Sequence, residues 1–178
     1  MVPSLPRRAG APNTWYLWSV KAVESLALRI RPDDLTGEAI RAVIAEHLRG
    51  MREASPPESV HALDIDALRA PGLTFWSAWV GEELAGMGAL KRLDGRRGEI
   101  KSMRVAASFL GRGVGRAMLR HIMAEAKVSG LASLWLETGS TPAFAAALGL
   151  YEREGFTRCG PFGDYELDPF SVFMTRTL

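Results

Sequence analysis

The chain is poor in cysteine: Cys159 is the only one among 178 residues. It has no internal disulfide partner, so a reducing compartment and a cytoplasmic protein are expected. Net charge is scarce as well. The 22 Lys and Arg against 20 Asp and Glu leave +2. A nucleic-acid binder usually carries a strong basic excess, so no nucleic-acid partner is expected. No apolar run reaches the length that crosses a bilayer, and no membrane partner is expected. No motif in the chain asks for a metal, and none is expected.

The first residues lack the uninterrupted apolar stretch of a secretory signal. Pro3, Pro6, Pro12, Arg7, Arg8 and Gly10 instead describe an extended leader over residues 1–23. Trp15, Tyr16 and Trp18 offer surface for packing onto the domain or a partner chain. A poorly ordered tail or an upstream start codon accounts for the same residues. Residues 24–178 read as one domain with a full core.

What is present is periodicity. Leu26 to Ile30 alternates weakly as a first strand. Ala39, Ile40, Val43, Ile44 and Leu48 follow at helical spacing, with Gly50 as a candidate stop. Ser55-Pro-Pro-Glu58 is a capping-box pattern that predicts a short helix through Leu63. Asp64 offers a cap for another short turn to Arg69. Leu73 to Val80 is rich in aromatic and β-branched residues and reads as a strand. Alternation puts Phe75 and Trp79 on one of its faces and Trp76 on the other, as core residues. Leu84 to Leu90 and Glu99 to Val105 continue an antiparallel meander, with Asp94-Gly95 at the second turn. Gly113 to Lys127 is an amphipathic helix, with Gly130 as its C-terminal cap. Leu131 to Glu137 is then a strand parallel to the meander's last one. A helix starts at Pro142 and ends at Gly155, and Phe156 to Cys159 and Ser171 to Thr177 are final strands. The fold class is α/β (α+β): a mixed, mostly antiparallel sheet with one β-α-β crossover and flanking helices.

The most informative stretch is Gly111, Arg112, Gly113, Val114, Gly115 and Arg116. It joins the strand Glu99–Val105 to the amphipathic helix. Glycines let main-chain N–H groups approach a ligand, and a helix start adds unpaired donors and a positive dipole end. Together they can cradle a pyrophosphate. A tight turn accounts for the glycines equally well.

Three motifs in order resemble the GNAT acetyltransferase superfamily: Glu99-Ile-Lys-Ser-Met-Arg-Val105, Gly111-Arg-Gly-Val-Gly115 and Leu150-Tyr-Glu-Arg-Glu-Gly-Phe156. The match covers roughly Leu26 to Leu178. Met51 to Asp64, Gly98 to Met103, Leu136 to Ser140 and Ser171 to Met174 further resemble the YsnE-like bacterial N-acetyltransferases. The resemblance implies a GNAT fold and acetyl-CoA as cosubstrate. It implies that Met103, Arg104 and Val105 line the pantetheine and that the amides of Gly111 to Arg116 hold the pyrophosphate. Two positions depart from the pattern. Leu110 stands where the family usually has Gln or Arg, which leaves Arg112 or Arg116 to supply that charge. Phe144 stands where the family often has an Asn facing the cofactor. Many members are dimers, so the resemblance allows a homodimer.

Acetyl transfer to an amine needs a base, donors for an oxyanion and an acid for the leaving thiolate. By the resemblance, Tyr151 is that acid, and a phenol of pKa ~10 is protonated at neutral pH. Packing of its ring alone is the plainer account. Glu99 and Glu137, at the ends of neighbouring strands, are both candidate bases. A strand N–H near Met103 is the candidate oxyanion donor. Arg52, His61 and Lys101 are candidate acceptor contacts, with Glu53, Ser55 and the loop Phe162 to Asp168, and each is equally a plausible surface residue. A covalent acyl-Cys159 has no patterned histidine beside it. The expected function is acetyl-CoA-dependent N-acetylation of a small amine or amino-acid-like molecule by direct transfer. The alternatives are protein or peptide N-acetylation and a non-catalytic acyl-CoA-binding module. A nucleotide or NAD site is disfavoured, because the glycines follow a meander rather than the first strand of a βαβ unit.

Overall fold

The computed structural model describes residues 27–178, and the expected leader, 1–23, lies outside them. Seven strands form one sheet in the order β1-β2-β3-β4-β5-β7-β6. They are β1 (Leu28–Pro32), β2 (Leu73–Val80), β3 (Glu83–Arg92), β4 (Arg97–Val105), β5 (Ser133–Gly139), β6 (Thr157–Cys159) and β7 (Ser171–Thr177). The helices are α1 (Glu38–Ala54), α2 (Ile65–Leu68), α3 (Val114–Val128) and α4 (Ala145–Arg153). Among the described strands only β4 and β5 pair in parallel, and α3 connects them. This is the mixed sheet with one crossover that the periodicity predicts.

Two apolar layers sandwich the sheet. On one side Met118, Leu119 and Ile122 of α3 pack with Trp76, Leu134 and Leu136. On the other side Ile40 and Ile44 of α1 and Leu68 of α2 pack with Phe75 and Met87. Phe75 and Trp76 go to opposite layers because successive strand side chains alternate.

Two local expectations fail. Gly50 does not end α1, which runs on to Ala54. Glycine costs a helix interior about 1 kcal/mol, and tertiary packing overrides that here. A Cβ at Gly50 would lie 3.5 Å from the Arg104 guanidinium, which crosses α1 at this point. The helix expected through Leu63 shrinks to a single 3₁₀ turn, Pro57–Ser59. So short a helix pays the nucleation cost with little propagation. Asp64 then opens α2, its side chain accepting the Ala67 N–H at 2.9 Å.

One irregularity shapes everything that follows. The β3–β4 register slips between the pairs Met87↔Arg104 and Ala89↔Lys101. Ser102 sits in this bulge with φ 51°, a backbone conformation uncommon for serine. Ile100, Met103 and Val105 therefore all face the α3 layer. Lys101 and Arg104 face the α1 layer, where they meet Glu99 and Glu46. Strict alternation would have put Glu99, Lys101, Met103 and Val105 on one face.

Just before the bulge the sheet opens. Pairing of β4 with β5 runs from Arg97↔Ser133 to Ile100↔Leu136 and stops. β5 continues along β7 as far as Gly139↔Ser171. A wedge-shaped gap separates Lys101–Val105 from Glu137–Gly139. Ala106 N–H donates to Ala85 C=O on the β3 side. Alternation therefore turns the N–H groups of Met103 and Val105 towards the gap.

Candidate active site

The gap leads into a cavity of about 100 Å³ whose lining includes His47, His61, Lys101, Glu137, Phe144 and Tyr151. Each element supplies its share. His47 lies on the buried face of α1, continuing the row Ile40, Ile44. Lys101 precedes the bulge, Glu137 follows the last β4–β5 pair, and Tyr151 projects from α4.

Tyr151 is 7% exposed. Its hydroxyl lies 3.9 Å from Met103 Sδ, across the gap, and its ring packs edge-on against Phe156. Burial, aided by the charge of Glu137, pushes its pKa well above that of a free phenol. The hydroxyl therefore keeps its proton at neutral pH.

The two candidate bases differ sharply. Glu99 is 2% exposed and fully engaged. Tyr165 Oη donates to its Oε1 at 2.5 Å, and Lys101 Nζ lies 3.2 Å from the same oxygen. Lys101 also donates to Tyr165 at 2.5 Å. Glu137 lines the cavity instead. Burial raises its pKa, while the Ser171 hydroxyl at 2.9 Å and the charges of His61 and Lys101 pull the other way.

The acceptor-side residues separate as well. His61 lines the cavity with its ring edge-on to Tyr165, centroids 4.9 Å apart. Arg52 is exposed in the last turn of α1, while His47 and Met51, one turn apart on that helix, line the cavity. The segment 160–170 forms a roof over Glu99, Lys101 and His61 through Tyr165, and none of its residues lines the cavity itself. Its Phe162 and Tyr165 pack with Trp135 and Phe173 in a ring cluster.

At the other end of the gap, Gly111 and Gly113 hold φ of 72° and 86°, values that favour glycine. The first bond inside α3 is Ala117 N–H to Gly113 C=O at 3.0 Å. The N–H groups of Val114, Gly115 and Arg116 thus have no acceptor within the helix. Arg116 lies 3.0 Å from Glu154, which Arg120 also holds at 2.9 Å. Arg112 lies over the Phe109 ring and has no carboxylate partner among the described residues. Of the two candidate cations, Arg112 is the one available to an anion.

These features fit a CoA thioester. Ser102 Oγ is buried without a hydrogen-bond partner among the described residues and lines the cavity. The outward N–H groups of Met103 and Val105 lie along the same edge. Phe144 offers carbon rather than an amide at its position. Cys159 is on the edge strand β6, separated from β5 by β7, and burial raises its thiol pKa.

Sequence reasoning passed over His47 and Ser102, and it named Tyr165 only as part of the loop Phe162 to Asp168. The apolar spacing of α1 marked position 47 as inward-facing. Tyr165 lies in a loop with no periodicity, and nothing local announces its reach to Glu99.

Known proteins agree with this architecture. Residues 40–156 match the model of the acetyltransferase (GNAT) family. An uncharacterized N-acetyltransferase, YsnE of Bacillus subtilis, is 55% identical over 85% of this chain and all of its own length. An uncharacterized N-acetyltransferase, YedL of Escherichia coli, is 53% identical over 84% of this chain and 94% of its own. Among solved structures, a GNAT family acetyltransferase from Elizabethkingia anophelis with acetyl-CoA bound superposes with a TM-score of 0.61. It is 22% identical and is covered over 98% of its chain and 85% of this one. With the splayed β4–β5 pair, the glycine turn into α3 and relatives matched over most of their length, the chain belongs to the GNAT family of acetyltransferases.

Proposed function

We propose that the protein transfers an acetyl group from acetyl-CoA directly to the amine of a small, amino-acid-like acceptor. One observation carries this reading. The outward N–H groups of β4, the glycine turn, the protonated Tyr151 and the raised-pKa Glu137 converge on a single gap. The acetyl-CoA in the Elizabethkingia relative supports the choice of donor.

Main-chain N–H groups of Gly113, Val114, Gly115 and Arg116, with Arg112, would hold the pyrophosphate, and those of Met103 and Val105 the pantetheine. Bound there, acetyl-CoA supplies an activated acyl group. The acceptor nitrogen must be neutral to attack, and Glu137 takes its proton. Its raised pKa brings it closer to that task than an exposed carboxylate. The Met103 N–H offers a hydrogen bond to a developing oxyanion. Tyr151 Oη, near Met103, holds a proton for the leaving sulfur. Glu99 acts at one remove, fixing Lys101 and Tyr165 beside the acceptor. The modest cavity favours a small molecule over a protein terminus.

The test is a thiol-release screen with acetyl-CoA against amino acids, simple amines and peptides. Turnover with a small amine that Glu137→Gln abolishes supports the reading. Tight CoA binding with no turnover on any acceptor would leave a non-catalytic binding module. Turnover confined to peptides would move the acceptor to protein termini.

A further inference from the structure

Glu137 is not alone at the end of β5. Ser171 Oγ lies 2.9 Å from Glu137 Oε1 and 3.2 Å from Asp168 Oδ2. One hydroxyl thus stands between two carboxylates. It has one proton and two lone pairs, so it cannot donate to both at once. Asp168 is itself well held: the Ser59 hydroxyl, the Phe170 N–H that donates to its Oδ1 at 2.8 Å and, to a lesser degree, the Ser171 hydroxyl keep its pKa low. Asp168 borders the exposed part of the 160–170 segment, whereas Glu137 lies inside.

We propose that Ser171 and Asp168 form a relay that accepts the proton Glu137 removes from the acceptor amine and carries it towards solvent. This rests on Glu137 being the base. While Glu137 is ionised, the Ser171 proton points to it, the nearer oxygen. Once Glu137 has taken a proton from the acceptor nitrogen, its own O–H donates to Ser171 Oγ. The Ser171 proton then turns to Asp168 Oδ2. Passing the Glu137 proton to Ser171 Oγ as the Ser171 proton moves to Asp168 transfers one proton net, and water collects it from Asp168. Neither Ser171 nor Asp168 touches the reacting atoms, so both are positioning residues. Without a carboxylate at 168 the hydroxyl is free to donate permanently to Glu137, which would stabilise the ionised form and make it a poorer base.

Other groups face Glu137 too. Glu99 and Lys101 approach from β4, His61 from the segment before α2, Tyr151 from α4 and Tyr165 from the roof. A change of charge at Asp168 would reach Glu137 through space as well as through the hydroxyl, so the test must separate the two routes.

The experiment is a carboxyl ¹³C titration of the purified protein labelled at glutamate side chains. The Glu137 resonance is the one missing from Glu137→Gln, and no acceptor is needed. Asp168→Asn should lower the Glu137 midpoint by about one pH unit. In a Ser171→Ala background the same substitution should shift it by less than half as much. Should Ser171→Ala fail to fold, Ser171→Cys, with its weak thiol donor, takes its place. Equal shifts in both backgrounds, or none in either, would overturn the relay. Undiminished turnover by Glu137→Gln would instead remove the base itself, whatever the titrations show.

Discussion

Tyr165 Oη donates to Glu99 Oε1 at 2.5 Å, tying the 160–170 roof to a carboxylate buried in β4. Removing that hydroxyl leaves Glu99 with Lys101 alone. A hydrogen bond to a buried charged group contributes about 2 kcal/mol. Tyr165→Phe should therefore lower unfolding stability by about that amount in urea titrations. It should also raise KM for the acceptor more than KM for acetyl-CoA, because the roof loosens on the acceptor side only.

Tyr151→Phe keeps the ring that packs on Phe156 and removes the proton. Turnover should fall about 100-fold or more, in the range of lost general-acid catalysis. CoA affinity, measured by calorimetry, should change little. Unchanged turnover would leave Tyr151 as a packing residue only.

In the proposed mechanism Glu137 is a base only when ionised. Burial raises its pKa above the ordinary 4.5. The rate should therefore be present above that raised pKa and be lost as pH falls through it. The acidic limb of kcat/KM should lie above the usual carboxylate range and should vanish in Glu137→Gln, whose residual rate is expected to be about 100-fold lower. A limb surviving that substitution would assign it to another group.

His47 supplies a separate pH effect, on stability. Burial beside the positive Arg104 lowers its pKa from 6.5 to about 4. The folded state thus keeps it neutral while the unfolded chain protonates it. Its contribution is complete above pH 6.5 and is lost as pH falls towards 4. Between pH 7 and pH 5 the loss should be about 2 kcal/mol. Comparing urea unfolding of the wild type and His47→Gln at both pH values isolates it, since the variant should lack this component.

Arg112 and Arg116 should separate in CoA binding. Arg116 is committed to Glu154, whereas Arg112 has no such partner among the described residues. Arg112→Ala should weaken CoA by about fivefold, roughly 1 kcal/mol, and the loss should shrink at high salt. Arg116→Ala should weaken it less. The reverse order would place the phosphates on the other side of the glycine turn.

Much of this was legible from residue order. The amphipathic row of α3, the aromatic strand β2 and the glycines before Val114 fall where periodicity and turn chemistry place them. Local signals fail where distant groups decide. Gly50 reads as a helix stop, but α1 runs on past it to Ala54, with Ile40, Ile44 and His47 buried along its inner face. Ser55-Pro-Pro-Glu58 has the letters of a helix start, but only a single turn forms. Glu99 and Glu137 could not be told apart along the chain. Their difference is made by Tyr165, 66 residues beyond Glu99, which closes over one and leaves the other facing the cavity.

The extra residue in β4 makes that strand a two-sided wall. Its Met103 side belongs to the room of α3, and its Lys101 and Arg104 side to the room of α1. Excising Ser102 would straighten the wall and exchange the furnishings of the two rooms, carrying cations towards oil and sulfur towards water. The same step that tolerates one awkward serine is what lets a single strand furnish both layers.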